Sequence, residues 1–259
     1  MHPRTAFGIT ATDRLDLARL GAAVESSGYH ELWVNDSPRG DGLITLARVA
    51  EATTTLRLAV GVVALSEHSP PVIAERVTRA AIAPGRLTVG VGSGQSRSLD
   101  LVRSGVAELR QLLPGHRIAV AAVGPRMAQL GGEVADAVVA NWALPARLAE
   151  LRELVAQGAM EGGRPVPRLV AYVRTAVGPG ATDRLRAEMD RYASYGRHYA
   201  RAFEEQPDRL VGIAVESGDL AELAAALAPY RAVAHTVVVR ALPTDDTVDA
   251  WLEVASSAS

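Results

Sequence analysis

The chain contains no cysteine. Disulfides, thiol nucleophiles and thiolate metal sites are therefore excluded. It contains no lysine either, so all 27 basic residues are arginine. That removes Schiff-base catalysis and the lysine of a Walker-type phosphate loop. Asparagine occurs only at positions 35 and 141, and aromatic residues make up 4% of the chain. The richness in alanine, valine and arginine beside these gaps is the bias of a GC-rich genome, not a demand of a fold. An excess of either charge is also missing. The net charge is -2, which favours neither nucleic acid nor an anionic membrane as partner. No apolar run reaches membrane-spanning length. The start, Met1-His2-Pro3-Arg4, leads straight into a strand and has no signal-peptide shape. The expectation is a cytoplasmic protein that acts on a small molecule.

What is present is alternation. Short apolar strands are expected at 7–10, 31–34, 56–63, 85–94, 117–123, 135–140, 169–177 and 235–241. Amphipathic helices are expected at 13–27, 43–53, 72–83, 99–113, 125–131, 146–157, 183–204, 219–228 and 246–255. Asp13 is the expected cap of the first helix. Eight strands, each followed by a helix, are the arithmetic of a (β/α)8 TIM barrel. An open doubly wound sheet would need fewer strands. No low-complexity linker divides the chain, so 1–259 reads as a single domain.

A barrel places its chemistry at the carboxyl ends of its strands. The second strand delivers Asn35-Asp36, and a carboxylate there can move a proton or bind substrate. It can equally form an Asx turn or a helix cap, as Asp41 nearby can. The fourth strand ends Gly92-Ser93-Gly94-Gln95-Ser96, whose bare backbone suits a phosphate or a flat ring. Its spacing is not G-x-G-x-x-G, and a plain tight turn is the alternative. The fifth ends Val123-Gly124-Pro125-Arg126-Met127, where a glycine, a helix start and a guanidinium converge on what an anion needs. A surface arginine beside an ordinary helix start is the alternative. The sixth ends Asn141-Trp142, and that tryptophan can stack on a flat group or simply pack. No pair of histidines has metal-ligand spacing. His68 alone falls near the expected barrel mouth.

Taken together, these segments resemble the bacterial luciferase-like oxidoreductases, (β/α)8 barrels that use reduced flavin or the deazaflavin coenzyme F420. Four stretches carry the likeness. They are Gly28 through Asp36, Leu56 through Val63 with His68 and Pro70 after it, Pro84 through Gly94, and Val123 through Met127 followed by Ala135-Asp136-Ala137-Val138. The resemblance implies a non-prolyl cis peptide within Val60-Gly61-Val62, backing the flavin ring. It places the phosphate side of the cofactor against Gly92, Ser93 and Gly94 and against Gly124, Pro125, Arg126 and Met127. Asp36 would face the reacting centre, Trp142 would lie near the ring, and the protein would be a homodimer.

One departure matters. Family members usually carry a long insertion between the fourth and fifth strands, and here only 96–116 separates them. The expectation is a broad, open mouth, where water reaching the ring disfavours oxygen chemistry. That points to hydride transfer on F420, with an FMN-dependent monooxygenase as the alternative. A third reading is an accessory barrel that has lost its cofactor.

Overall fold

The computed structural model describes residues 4–37, 40–205 and 210–258. The strands are β1 (Arg4–Thr10), β2 (Glu31–Asn35), β3 (Arg57–Ala64), β4 (Leu87–Gly92), β5 (Arg117–Ala122), β6 (Ala137–Asn141), β7 (Arg168–Val177), β8 (Ile213–Val215) and β9 (Thr236–Ala241). The helices are α1 (Leu17–Ser26), α2 (Gly42–Glu51), α3 (Pro70–Ala80), α4 (Leu99–Leu112), α5 (Pro125–Val134), α6 (Pro145–Glu161), α7 (Ala181–Ser194), α8 (Arg197–Glu204), α9 (Leu220–Val233) and α10 (Val248–Ala258). Eight parallel strands close in the order β1-β2-β3-β4-β5-β6-β7-β9, with β9 pairing back to β1. The expected TIM barrel is present.

Three details differ from the sequence reading. The short strand β8 lies outside the closed ring. It pairs with Thr175–Val177, where β7 outruns β9. At three residues it is too short to show an alternating pattern. The expected helix over 183–204 is two helices, broken at Gly196, whose φ of 153° no helix accommodates. The cap of α1 is Asp16, which accepts from Arg19 N at 3.0 Å, so the helix starts after the 13–15 turn. The other starts follow local chemistry. Asp41 accepts from Leu43 N and Ile44 N, and proline opens α3, α5 and α6, where a missing N–H costs nothing.

Strand alternation sorts side chains between two cores. One parity, including Leu32, Val34, Leu58, Val60, Val89 and Val91, packs outward against the helices. The other fills the barrel with Ala6, Trp33, Ala59, Ala119, Ala137, Val139, Val170, Tyr172 and Val238. Large and small residues complement each other here. A Cβ on Gly61 would stand 2.6 Å from the Trp33 ring, so that glycine is the space the indole occupies. At the amino-terminal end Glu31 closes the floor, accepting from Trp33 Nε1 at 2.8 Å and from Arg168 at 3.4 Å. The helix α5 is fixed from behind. A Cβ at Gly158 would lie 1.9 Å from Gln129 O and one at Gly132 2.2 Å from Val155 O, so α5 and α6 touch backbone to backbone.

Candidate active site

The β3 end is irregular. Its register with β4 runs Val60↔Val89 and then Val63↔Val91, which is one extra residue on β3. The Gly61–Val62 peptide within this bulge is cis, where the resemblance placed one. The bulge pushes β3 against its neighbour. A Cβ on Gly90 would sit 2.4 Å from Val60 O and 3.1 Å from Val62 Cγ1, so only glycine fits opposite it. Val62 remains half-buried on the mouth side, with Gly92 beside it. The chain then turns at Gly94, where φ is +58° and a Cβ would overlap Ser66 Oγ.

On the next strand the surroundings open. Gly124 is the N-cap of α5 and a Cβ there would meet nothing within 4 Å. No side chain caps this helix. Its positive end therefore faces the mouth, with Pro125 and Arg126 exposed and Met127 half-buried beside it. Gly92, Ser93 and Gly94 end one strand and Gly124 through Met127 follow its neighbour, so two adjacent rim segments bring turn backbone, a helix start and an arginine to the same side of the mouth. A phosphate and the edge of a flat ring fit that donor set.

Across the barrel the inward positions are large and polar. Asn35 is the inward residue at the end of β2, in phase with Glu31 and Trp33. Its Nδ2 donates to Gly61 O at 3.0 Å. Its Oδ1 accepts from Tyr172 OH at 2.9 Å and from Arg240 Nε at 2.7 Å. Arg240 also donates to Ala241 O and Thr10 Oγ1. Burial pulls the Arg240 pKa below the usual arginine range, and the nearby Arg174 charge pulls the same way. Burial likewise pushes the Tyr172 hydroxyl up to about 12, so it stays protonated at neutral pH. Arg174 is 1% exposed and donates to Asn141 Oδ1.

The expected functional residues thus fall in different places. Asp36 lies on the opposite face of β2 from Asn35. Its Oδ1 accepts from Gly42 N at 2.8 Å and from Arg76 at 2.9 Å, and Oδ2 from Arg76 at 3.3 Å. It ties the start of α2 to α3. Trp142 is buried, with Arg174 4.2 Å over its ring and Tyr192 and Phe203 edge-on at 5.0 Å. Tyr172, Arg174, Glu188 and Arg240 were not singled out from the sequence, and Asn35 was named at its strand end without a role. Parity could have marked three of them, because Trp33-x-Asn35, Tyr172-x-Arg174 and Val238-x-Arg240 each put a polar residue two positions beyond an inward one.

The mouth is not left bare by the short β4–β5 connection. That connection holds a single 3-10 turn, Gly94–Ser96, and α4. The α7–α8 segment lies over the barrel instead. Tyr192, Tyr199 and Phe203 pack with Trp142, and Gln95 Nε2 reaches back to Tyr195 O at 3.1 Å. The open mouth expected from sequence is corrected by this aromatic cover.

Comparison with known proteins bears on the fold and on part of the sequence. Residues 6–101 match the family model described as luciferase-like monooxygenase. A luciferase-like monooxygenase of Escherichia coli (strain K12) is 41% identical over 85 residues, which is 30% of this chain and 24% of that protein. A 5,10-methylenetetrahydromethanopterin reductase of Methanolobus tindarius is 23% identical over 186 residues, covering 58% of this chain and 57% of that one. The matched part is therefore about a quarter to just over half of these relatives' length. The structure of an F420-dependent secondary alcohol dehydrogenase, solved with an F420-acetone adduct, superposes with a TM-score of 0.80 at 13% identity, over 99% of this chain and 98% of that one. The chain shares the (β/α)8 barrel fold of that neighbour. Its first 101 residues carry the family's sequence pattern from position 6 onward, and the remainder completes the same fold.

Proposed function

We propose that this protein is an oxidoreductase that binds coenzyme F420 at the β3–β4–β5 rim and transfers hydride to or from a small organic substrate. The observation that carries the reading is the rim of Gly92, Ser93, Gly94, Gly124, Pro125, Arg126 and Met127. There, strand-end turns on adjacent strands meet an open glycine at Gly124, an uncapped helix start and an exposed arginine. The backbone of Val60, Gly61 and Val62 would back the ring, the Val60 side chain itself packing outward on α2, and the rim residues would hold the phosphate. The likeness to an F420-dependent dehydrogenase and to a methanopterin reductase supports this choice.

When bound, a deazaflavin exchanges hydride at one ring carbon. The chain's own residues do the rest. Arg126 and the N-terminus of α5 fix the anionic end. Asn35 holds the Gly61 carbonyl and so the shape of the bulge. Tyr172 keeps a proton on its hydroxyl beside Asn35, as a donor at the barrel centre. Trp142, Tyr192 and Phe203 exclude water from above. Asp36 acts one step back, setting the start of α2 through Gly42 N and Arg76.

The aromatic cover favours a second reading, an FMN-dependent monooxygenase, because it removes part of the water-access argument against oxygen chemistry. Titration of the purified protein with F420 and with FMN, followed by fluorescence polarisation, separates the two. Saturable binding of F420 in preference to FMN supports hydride transfer, and preference for FMN supports the monooxygenase. Binding of neither overturns both and leaves the accessory barrel. The partner we propose is a second copy of the chain, since Ile44 and Val72 expose apolar surface on the neighbouring helices α2 and α3. A monomeric mass by light scattering would remove it.

A further inference from the structure

The mouth half of the barrel interior sets two buried arginines against one carboxylate among the described residues. Arg174 and Arg240 are register partners on adjacent strands, both inward, at 1% and 4% exposure. Like charges set directly opposite on paired strands repel, and more so in a dry interior. All three of Arg240's hydrogen-bond acceptors are neutral: Asn35, Thr10 and Ala241 O. Arg174 gives only Nη1 to a hydrogen bond, also with a neutral partner, Asn141. Its Nε and Nη2 make none among the described residues. These two groups form the side of a guanidinium that takes a carboxylate with two parallel bonds.

Among the described residues the carboxylate nearest Arg174 is that of Glu188 on α7. Its Oε1 stands 3.9 Å from Arg174 Nε, beyond hydrogen-bond reach, and makes no hydrogen bond among the described residues. Its Oε2 is committed to Arg191, at 2.9 and 2.5 Å. Two buried cations thus share one carboxylate that is already engaged elsewhere. The Arg174 guanidinium also lies against three rings, 4.2 Å from that of Trp142, 4.7 Å from Tyr192 and 5.3 Å from Tyr172. A ligand seated on Nε and Nη2 would meet a charged fork and flat apolar walls together.

We propose that Arg174 Nε and Nη2 are the anchor for a carboxylate on a flat, apolar substrate, and that Glu188 holds this place weakly until the substrate carboxylate displaces it. In naming the substrate class, the inference rests on the oxidoreductase reading above. The anchor itself is testable without cofactor. The shared chemistry is a planar oxygen anion, which the electron-rich edge of a reduced ring could also present. The test must therefore separate substrate from cofactor.

Benzoate and its neutral isostere benzamide are the probes, titrated by calorimetry into the wild type, Arg174→Gln and Glu188→Gln, with and without saturating FMN or F420. Wild type should bind benzoate at least tenfold more tightly than benzamide. Arg174→Gln should abolish that preference, and Glu188→Gln should tighten benzoate binding severalfold by removing the competing carboxylate. The two variants move in opposite directions, so a general loss of folding cannot imitate the result. Equal affinity for the two probes, or a benzoate preference unchanged in Arg174→Gln, overturns the anchor. Benzoate binding that cofactor abolishes by competition overturns the assignment to substrate. Benzoate binding in a protein that takes neither cofactor keeps the anchor and sinks the oxidoreductase reading alone.

Discussion

The two sides of the barrel mouth are built from opposite materials. On the β3–β4–β5 side the inward positions include Ala59, Gly61, Thr88, Gly90, Gly92, Ala119 and Ala121, so small residues form the wall. On the β2–β7–β9 side they are Trp33, Asn35, Tyr172, Arg174, Val238 and Arg240, and side chains fill the space. The difference is functional as well as steric. A wall of small residues leaves room at the mouth, and only past the strand ends, from Ser93 and from Gly124, do backbone N–H groups leave the sheet ladder. A wall of long side chains brings charge and a proton donor to the centre, at the cost of burying them. The large side depends on the small one, because the Trp33 ring uses the space that a Cβ on Gly61 would fill.

The sharpest way to break this arrangement is to make the small side larger. Gly90→Ala sets a Cβ 2.4 Å from Val60 O, a backbone atom held by the β3 bulge. It should cost about 3 kcal/mol in urea unfolding. A loss under about 1 kcal/mol would mean the bulge yields freely and is not what makes glycine necessary. A smaller effect comes from outside the small side, at Asp136, which braces the start of β6. It accepts from Arg110 at 2.7 Å, Arg164 at 3.0 Å and Ile118 N at 2.8 Å. Burial works to raise its pKa, but these donors and the two arginine charges bring it below the ordinary value of 3.8. The unfolded chain then takes up its proton first. The stability from Asp136 is complete above the unfolded value and drains away as pH falls below it, through the folded value. Asp136→Asn should cost about 2 kcal/mol at pH 7 and flatten the acid limb of a stability–pH curve. An unchanged acid limb would show the carboxylate contributes nothing there.

The two sides were also unequally legible. The small side could be read from sequence, because glycines at strand ends are local signals. Gly92, Gly94, Gly124 and Arg126 all lie at the rim as expected, and the cis peptide is within the quoted triplet. The barrel was legible for a similar reason, since eight apolar strands alternate evenly with helices. The large side was not. Arg174 and Arg240 read as ordinary arginines in a chain where every basic residue is arginine, and only closure of β7 against β9 makes them neighbours. Asp36 drew attention as a carboxylate at a strand end, but the period of two turns it outward and Asn35 inward. The break at Gly196 and the cover by α7–α8 depend on contacts with Trp142 and Gln95, remote in sequence.

The remaining predictions sharpen the claim that the small side holds the cofactor. Arg126→Ala should weaken cofactor binding about tenfold at low salt, ~1.4 kcal/mol. The deficit should shrink as salt rises, because screening removes the exposed contact in the wild type too. Salt-independent loss would point to packing instead of charge. Gly124→Ala is the subtler probe. Its backbone, φ -120° and ψ 167°, is open to any residue, and the new methyl meets nothing within 4 Å. Unfolding free energy should move by no more than about 0.5 kcal/mol, since the entropy removed from the unfolded chain offsets a slightly poorer cap. The space that methyl takes is, however, the approach to the N-terminus of α5. Cofactor affinity should therefore fall while stability holds. That split belongs to a glycine kept for a ligand. If both quantities stay unchanged, the phosphate lies elsewhere on the rim, nearer Ser93 and Gly94, and the bare backbone at Gly124 is only the way α5 begins.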